Sequence, residues 1–205
     1  MKHIRTIINK EWAEVFKNRT VLYTTLLLPL VFAILPLIML KSTAGSIPDM
    51  GDAATTGLPE GFVQSCEGLS GGDCLQVYLV SEFLFLFMMM PVIIPINIAA
   101  YSIVGEKTTR SLEPLLATPI TTVELLAGKC LAAVLPAIGA TYFSIGIFNL
   151  GLSLLKISPG VISYVNSPIW LLALLALGPL LSLISTLFAL FISSRVTDPR
   201  VAEQV

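Results

Sequence analysis

This sequence is short of charge. Lys, Arg, Asp and Glu make up 12% of its 205 residues, about half of the roughly 25% usual in soluble domains. With 55% hydrophobic residues and a mean hydropathy of +0.87, that deficit excludes an ordinary water-soluble domain. Histidine occurs once, at His3, so neither an HExxH nor a Cys/His zinc site can be assembled and no metal ligands are expected. No basic face exists outside the flanks of the apolar runs, which removes nucleic acid as a partner. A GxxxxGK[ST] loop is missing too, Gly128-Lys129-Cys130 being none, so no cofactor is expected in this chain and any ATP would be bound by a partner.

Four long apolar runs are present: about Thr20 to Leu40, Phe83 to Val104, Cys130 to Leu155 and Ile169 to Ser193. Each exceeds the roughly 20 helical residues that cross a hydrocarbon core of about 30 Å. The predicted fold class is therefore all-α, a polytopic transmembrane helical protein. None of the runs carries a charged side chain. That counts against a gradient-driven carrier, which keeps ionisable groups within its spans. It also counts against an intramembrane enzyme, which needs a base beside its nucleophile. Pro29, Pro36, Pro91, Pro95, Pro136 and Pro179 lie inside the runs. Neighbouring helices can satisfy the carbonyls such prolines free, so kinks rather than breaks are expected, most of all at Pro91 and Pro95. The first run is too long for a signal-peptide core, and a retained anchor is the better reading.

Lys2, Arg5, Lys10, Lys17 and Arg19 precede the first run, Lys107, Arg110 and Lys129 separate the second and third, and Arg195 and Arg200 follow the fourth. The two other connections hold only Lys41 and Lys156. The positive-inside rule puts both termini in the cytoplasm of a multi-pass plasma-membrane protein, with the 41–81 loop outside. Cys66 and Cys74 in that loop would meet an oxidising environment and could close a small disulfide; two free thiols are the alternative.

Residues 1–18 form a domain of their own, an amphipathic helix with Ile4, Ile7, Ile8, Trp12, Val15 and Phe16 on one stripe and Lys2, Arg5, Lys10, Glu14 and Lys17 on the other side. Beside a span it is expected to lie in the cytoplasmic interface of the lipid bilayer, with Trp12 at headgroup depth. The transmembrane domain then occupies 19–205. At its far end, Ser194 to Val205 is polar and leads to no further apolar element, so a C-terminally incomplete sequence is expected.

The 105–129 connection is the most informative segment. Glu106 and Arg110 stand four apart in acid-first order, and Leu112, Leu115 and Leu116 make a short apolar face interrupted by Pro114. Thr121 and Glu124 have the spacing of a capping box. Between spans such a helix is a docking element or a membrane-surface helix. Among embedded polar residues, Asn97, Tyr101 and Asn149 are candidates to line a substrate path, although hydrogen bonding between helices is the commoner use.

The order Glu106-Lys107, Leu112-Glu113, Leu115-Leu116, Pro119-Ile120, Glu124-Leu125 and Gly128-Lys129 resembles the signature of the ABC-type-two exporter permeases, over the N-terminal two-thirds of a usual six-span member. The resemblance implies a permease subunit of an ATP-driven exporter, paired with an identical or different second permease. Cytosolic ABC ATPase subunits would dock on Glu106, Lys107, Arg110, Leu112, Glu113, Leu115 and Leu116. A non-transporting scaffold and a gradient-driven carrier are the competing readings. No residue selects the substrate.

Overall fold

The computed structural model describes residues 2–44, 57–59, 62, 66, 69–108 and 120–195. They are helical almost throughout, as the apolar runs require. In chain order the elements are α1 (Lys2–Val15), α2 (Arg19–Ala44), α3 (Gly71–Phe87), α4 (Met90–Thr108), α5 (Thr122–Leu154), α6 (Pro159–Val165), α7 (Pro168–Leu172), a π-helical turn (Ala173–Leu177) and α8 (Gly178–Arg195). Four stretches are long and apolar enough to cross a membrane: Val21–Thr43, Gly71–Ile103, Thr122–Leu154 and Pro159–Arg195.

These helices overrun the apolar runs. The second starts at Gly71 rather than Phe83, which ends the 41–81 loop at Ser70, and the third starts at Thr122 rather than Cys130. Caps, not the edge of the apolar run, set both starts. Ser70 Oγ accepts the Asp73 N–H, and Thr121 and Glu124 form a reciprocal capping box with contacts of 3.0–3.2 Å. Each cap satisfies N–H groups that a helix start leaves unpaired.

The chain divides into two compact units. The first comprises Met1–Leu28, Met89–Thr141 and Ala176–Val205. Its core is rich in small residues: Ala99, Ala100, Ala132, Ala133, Ala137 and Ala189 are all buried. Small residues let helix backbones approach where lipid offers no hydrophobic drive for association. Here α8 packs along α4, and Ser185 and Ser193 donate to the Pro91 and Ala100 carbonyls, each at 3.4 Å.

The second unit comprises Pro29–Met88 and Tyr142–Leu175. Phe87 and Phe148 meet in its core with ring centroids 5.5 Å apart, and Leu37 lies against the bare backbone of Gly151. The end of α5 is a Schellman turn. Ile157 N–H reaches the Leu152 carbonyl and Lys156 N–H the Ser153 carbonyl, both at 3.2 Å. Lys156 takes the left-handed position, φ 53°, usually given to glycine. α3 packs on α6; a disulfide joins Cys66 to Cys74 in the first turn of α3, Cα–Cα 5.6 Å, and Leu69 within that loop rests on Gly160 of α6. Closing so short a loop is worth about 2.5 kcal/mol in the chain-entropy account. Cys66→Ser or a reductant is therefore expected to lower the unfolding midpoint in detergent; an unchanged midpoint would mean the bond constrains nothing.

Prolines punctuate the spans, and the structure answers four of the six in a definite way. Pro91 is the second residue of α4 and has no N–H for the Phe87 carbonyl, so the second span breaks into α3 and α4 with Met88 N–H shared between Leu84 and Phe85. Pro95, Pro136 and Pro179 leave the carbonyls four residues earlier, those of Pro91, Ala132 and Leu175, without an α-helical donor. Side chains of other helices supply one in each case: Ser185 Oγ at 3.4 Å, Trp12 Nε1 at 2.9 Å and Tyr142 Oη at 3.3 Å.

Candidate functional site

The least expected feature is a knot of buried charge. Glu11 of α1, Glu106 of α4 and Lys129 of α5 are each no more than 3% exposed. Lys129 Nζ lies 2.8 Å from Glu11 Oε1 and 2.8 Å from Glu106 Oε2, an ion pair with each. Its remaining donor goes to Ser102 Oγ at 2.8 Å, and Ser102 in turn donates to Glu11 Oε2. Half-buried Lys10 closes the set, donating to Glu106 Oε1 at 2.6 Å. Two cations face two carboxylates, so the cluster is neutral as a whole.

Local sequence places these groups. Ile7, Glu11 and Val15 recur every four residues and are the fully buried stripe of α1. The helix is amphipathic, as its pattern requires, but a carboxylate sits in the middle of its buried face. Trp12 is half-buried and donates its indole N–H to the Ala132 carbonyl. α1 approaches α5 closely because Gly128 has no side chain: a Cβ there would fall 2.7 Å from Ile7 Cγ2 and 2.9 Å from Ile7 Cβ. Gly128 and Lys129, read as a motif pair in the sequence, thus provide close approach and a buried cation.

Electrostatics favour the charged forms. Burial works against ionised Glu106, but the Lys129 charge and the Lys10 hydrogen bond outweigh it and hold its carboxyl below the usual 4.5. Burial likewise opposes charged Lys10, yet bonding to Glu106 carries it above 10.5. A depressed carboxyl stabilises the fold above its unfolded pKa, and that contribution fades as pH drops through the folded value. A raised ammonium stabilises below its unfolded pKa and is lost as pH rises through the folded one. The unfolding midpoint is therefore expected to be level from about pH 5 to 10 with respect to these two groups, and to fall in acid below about 4.5. Glu106→Gln should flatten the acid limb; an undiminished acid limb in that variant would assign it to other groups.

Other sequence-derived sites fare differently. Glu106 is buried, with its carboxylate against Lys10 and Lys129. The Lys107 side chain and Arg110, Leu112, Glu113, Leu115 and Leu116 lie outside the described residues. Cys66 and Cys74 are bonded in the structure. Asn97 donates to the Ile93 carbonyl of its own helix at 3.0 Å, and Tyr101 is half-buried in the same unit. Asn149, in the second unit, donates to the Ile145 carbonyl and accepts from Asn166 at 3.0 Å. Among the described residues no group of His, Cys, Asp and Glu is arranged to hold a metal ion.

A multi-pass helical membrane protein whose second and third spans are clasped to an N-terminal helix is the class this architecture defines. The sequence matches the ABC-2 family transporter proteins over residues 5–205, and the chain belongs to that family. It is thus a membrane component of a transporter. A search among curated proteins returns no match.

Proposed function

We propose that the chain is the permease subunit of an ATP-driven exporter, with both ends of the 105–129 connection on the cytoplasmic side and an ABC ATPase docked on that connection. One observation carries the reading: Glu106 and Lys129, at the two ends of the segment, are paired with each other and with α1 in a buried, neutral cluster. With the two ends rooted in one cluster, a push that displaces them reaches both spans and α1 together; ends without such a root would pass on less of it. In this reading Glu106 anchors the segment, while Leu112, Leu115 and Leu116 meet the ATPase and Lys107, Arg110 and Glu113 orient it by charge. A second permease subunit completes the transport unit. The Cys66–Cys74 bond supports the orientation, since disulfides persist on the oxidising side of a membrane.

The test is a mild-detergent pulldown of the whole protein from its native membrane, followed by mass spectrometry. A soluble ATPase in stoichiometric yield is the expected result. Its absence, with the protein intact and folded, would favour a scaffold or a gradient-driven carrier instead.

A further inference from the structure

Contacts between α1 and α5 follow one face of α5 through little more than a turn. Ile7 lies against Gly128, Glu11 takes Lys129, and the next residue, Trp12, donates its indole N–H to the Ala132 carbonyl. That carbonyl stands four residues before Pro136. An α-helix would bond it to the N–H of residue 136, and proline has none. Ala132 is 1% exposed, so without a donor its carbonyl would be buried and unpaired. A proline inside a helix is also where bending concentrates.

We propose that Trp12 is a positioning residue that sets the bend of α5 at Pro136, by supplying the N–H that the proline lacks. The same solution serves Pro95, through Ser185, and Pro179, through Tyr142. Those two donors sit on membrane spans; Trp12 does not. It is carried by α1, whose adjacent Glu11 grips Lys129 at the foot of the coupling segment. Displacement of that segment therefore reaches the hinge through two consecutive residues of one helix. This use of the latch rests on the coupling reading, whereas the latch itself does not. A hydrogen bond of this kind shifts the balance between bent forms by roughly 2- to 12-fold.

The experiment is a spin-label distance measurement along α5 in the full chain reconstituted in lipid. Leu126→Cys and Leu150→Cys carry the labels, both positions being exposed, in a Cys130→Ala background. Some 24 residues separate them, about 36 Å along a straight helix. Trp12→Phe keeps the ring but removes the donor, and is expected to broaden or displace the distance distribution. In a Pro136→Ala background the helix supplies its own N–H, and the same Trp12→Phe change should leave the distribution where it was. Should Trp12→Phe fold only in the Pro136→Ala background, the latch is equally supported. No change in either background, equal change in both, or failure to fold in both would overturn it. Since no ATPase takes part, failure here leaves the coupling reading standing, and a pulldown without ATPase leaves the latch standing.

Discussion

Lys129→Met is expected to destabilise the folded protein by about 3–5 kcal/mol, the usual penalty for stranding a buried charge. Removing this one ammonium takes the ion pair from both Glu11 and Glu106, each nearly inaccessible to water. The Lys129 contribution as such is smaller than that figure, because burying the ion has its own desolvation cost; the loss comes mainly from its orphaned partners. A charge-balanced double variant separates the two effects. Lys129→Met with Glu106→Gln removes one cation and one anion and leaves Lys10 with Glu11. It should recover at least half of the lost stability, a coupling that a double-mutant cycle reads directly. Unfolding midpoints in detergent micelles supply the measurement. A single variant as stable as the parent would show that the cluster holds nothing together.

Leu115→Glu combined with Leu116→Glu is expected to reduce ATPase co-purification by more than about 30-fold, equivalent to the roughly 2 kcal/mol at which an interface residue counts as a hot spot. Two carboxylates placed in an apolar contact must be desolvated without partners. Membrane insertion should be untouched, because both residues lie outside the four spans, and yield in the membrane fraction provides that control. Normal co-purification at normal yield would remove the docking role from this segment, though the charge cluster would remain.

Fold class and span number are legible in the sequence because lipid imposes one solution on long apolar runs: helices with every backbone group satisfied. The Thr121–Glu124 capping box is legible for the same kind of reason, a local pattern with a local bond. The charge cluster is not, because its members are far apart in the chain: Glu11 and Lys129 are separated by 118 residues. Periodicity assigns Lys2, Arg5, Lys10, Glu14 and Lys17 to the polar side of α1 and gives Glu11 no role. One signal does exist: Glu11 lies midway between Ile7 and Val15 at helical spacing, and a carboxylate on a buried stripe demands a cation. Which cation is a matter of tertiary packing. The prolines are a middle case, since the freed carbonyls follow from the sequence and the identities of Trp12, Ser185 and Tyr142 as donors do not. Boundaries are misjudged where caps carry α3 and α5 beyond the apolar runs.

The 118-residue gap between Glu11 and Lys129 also bears on synthesis. At about 5–20 residues per second a ribosome needs roughly 6–24 s to make that much chain. During this interval Glu11 has no Lys129 to pair with. An amphipathic α1 has a place to wait, on the membrane surface, where its carboxylate remains hydrated. Arrival of the third span delivers Gly128, Lys129 and Ala132 together, the three residues of α5 that α1 meets. Docking of the first helix is thereby timed by emergence of the third span, so the N-terminal segment completes its folding among the last parts of the unit it belongs to.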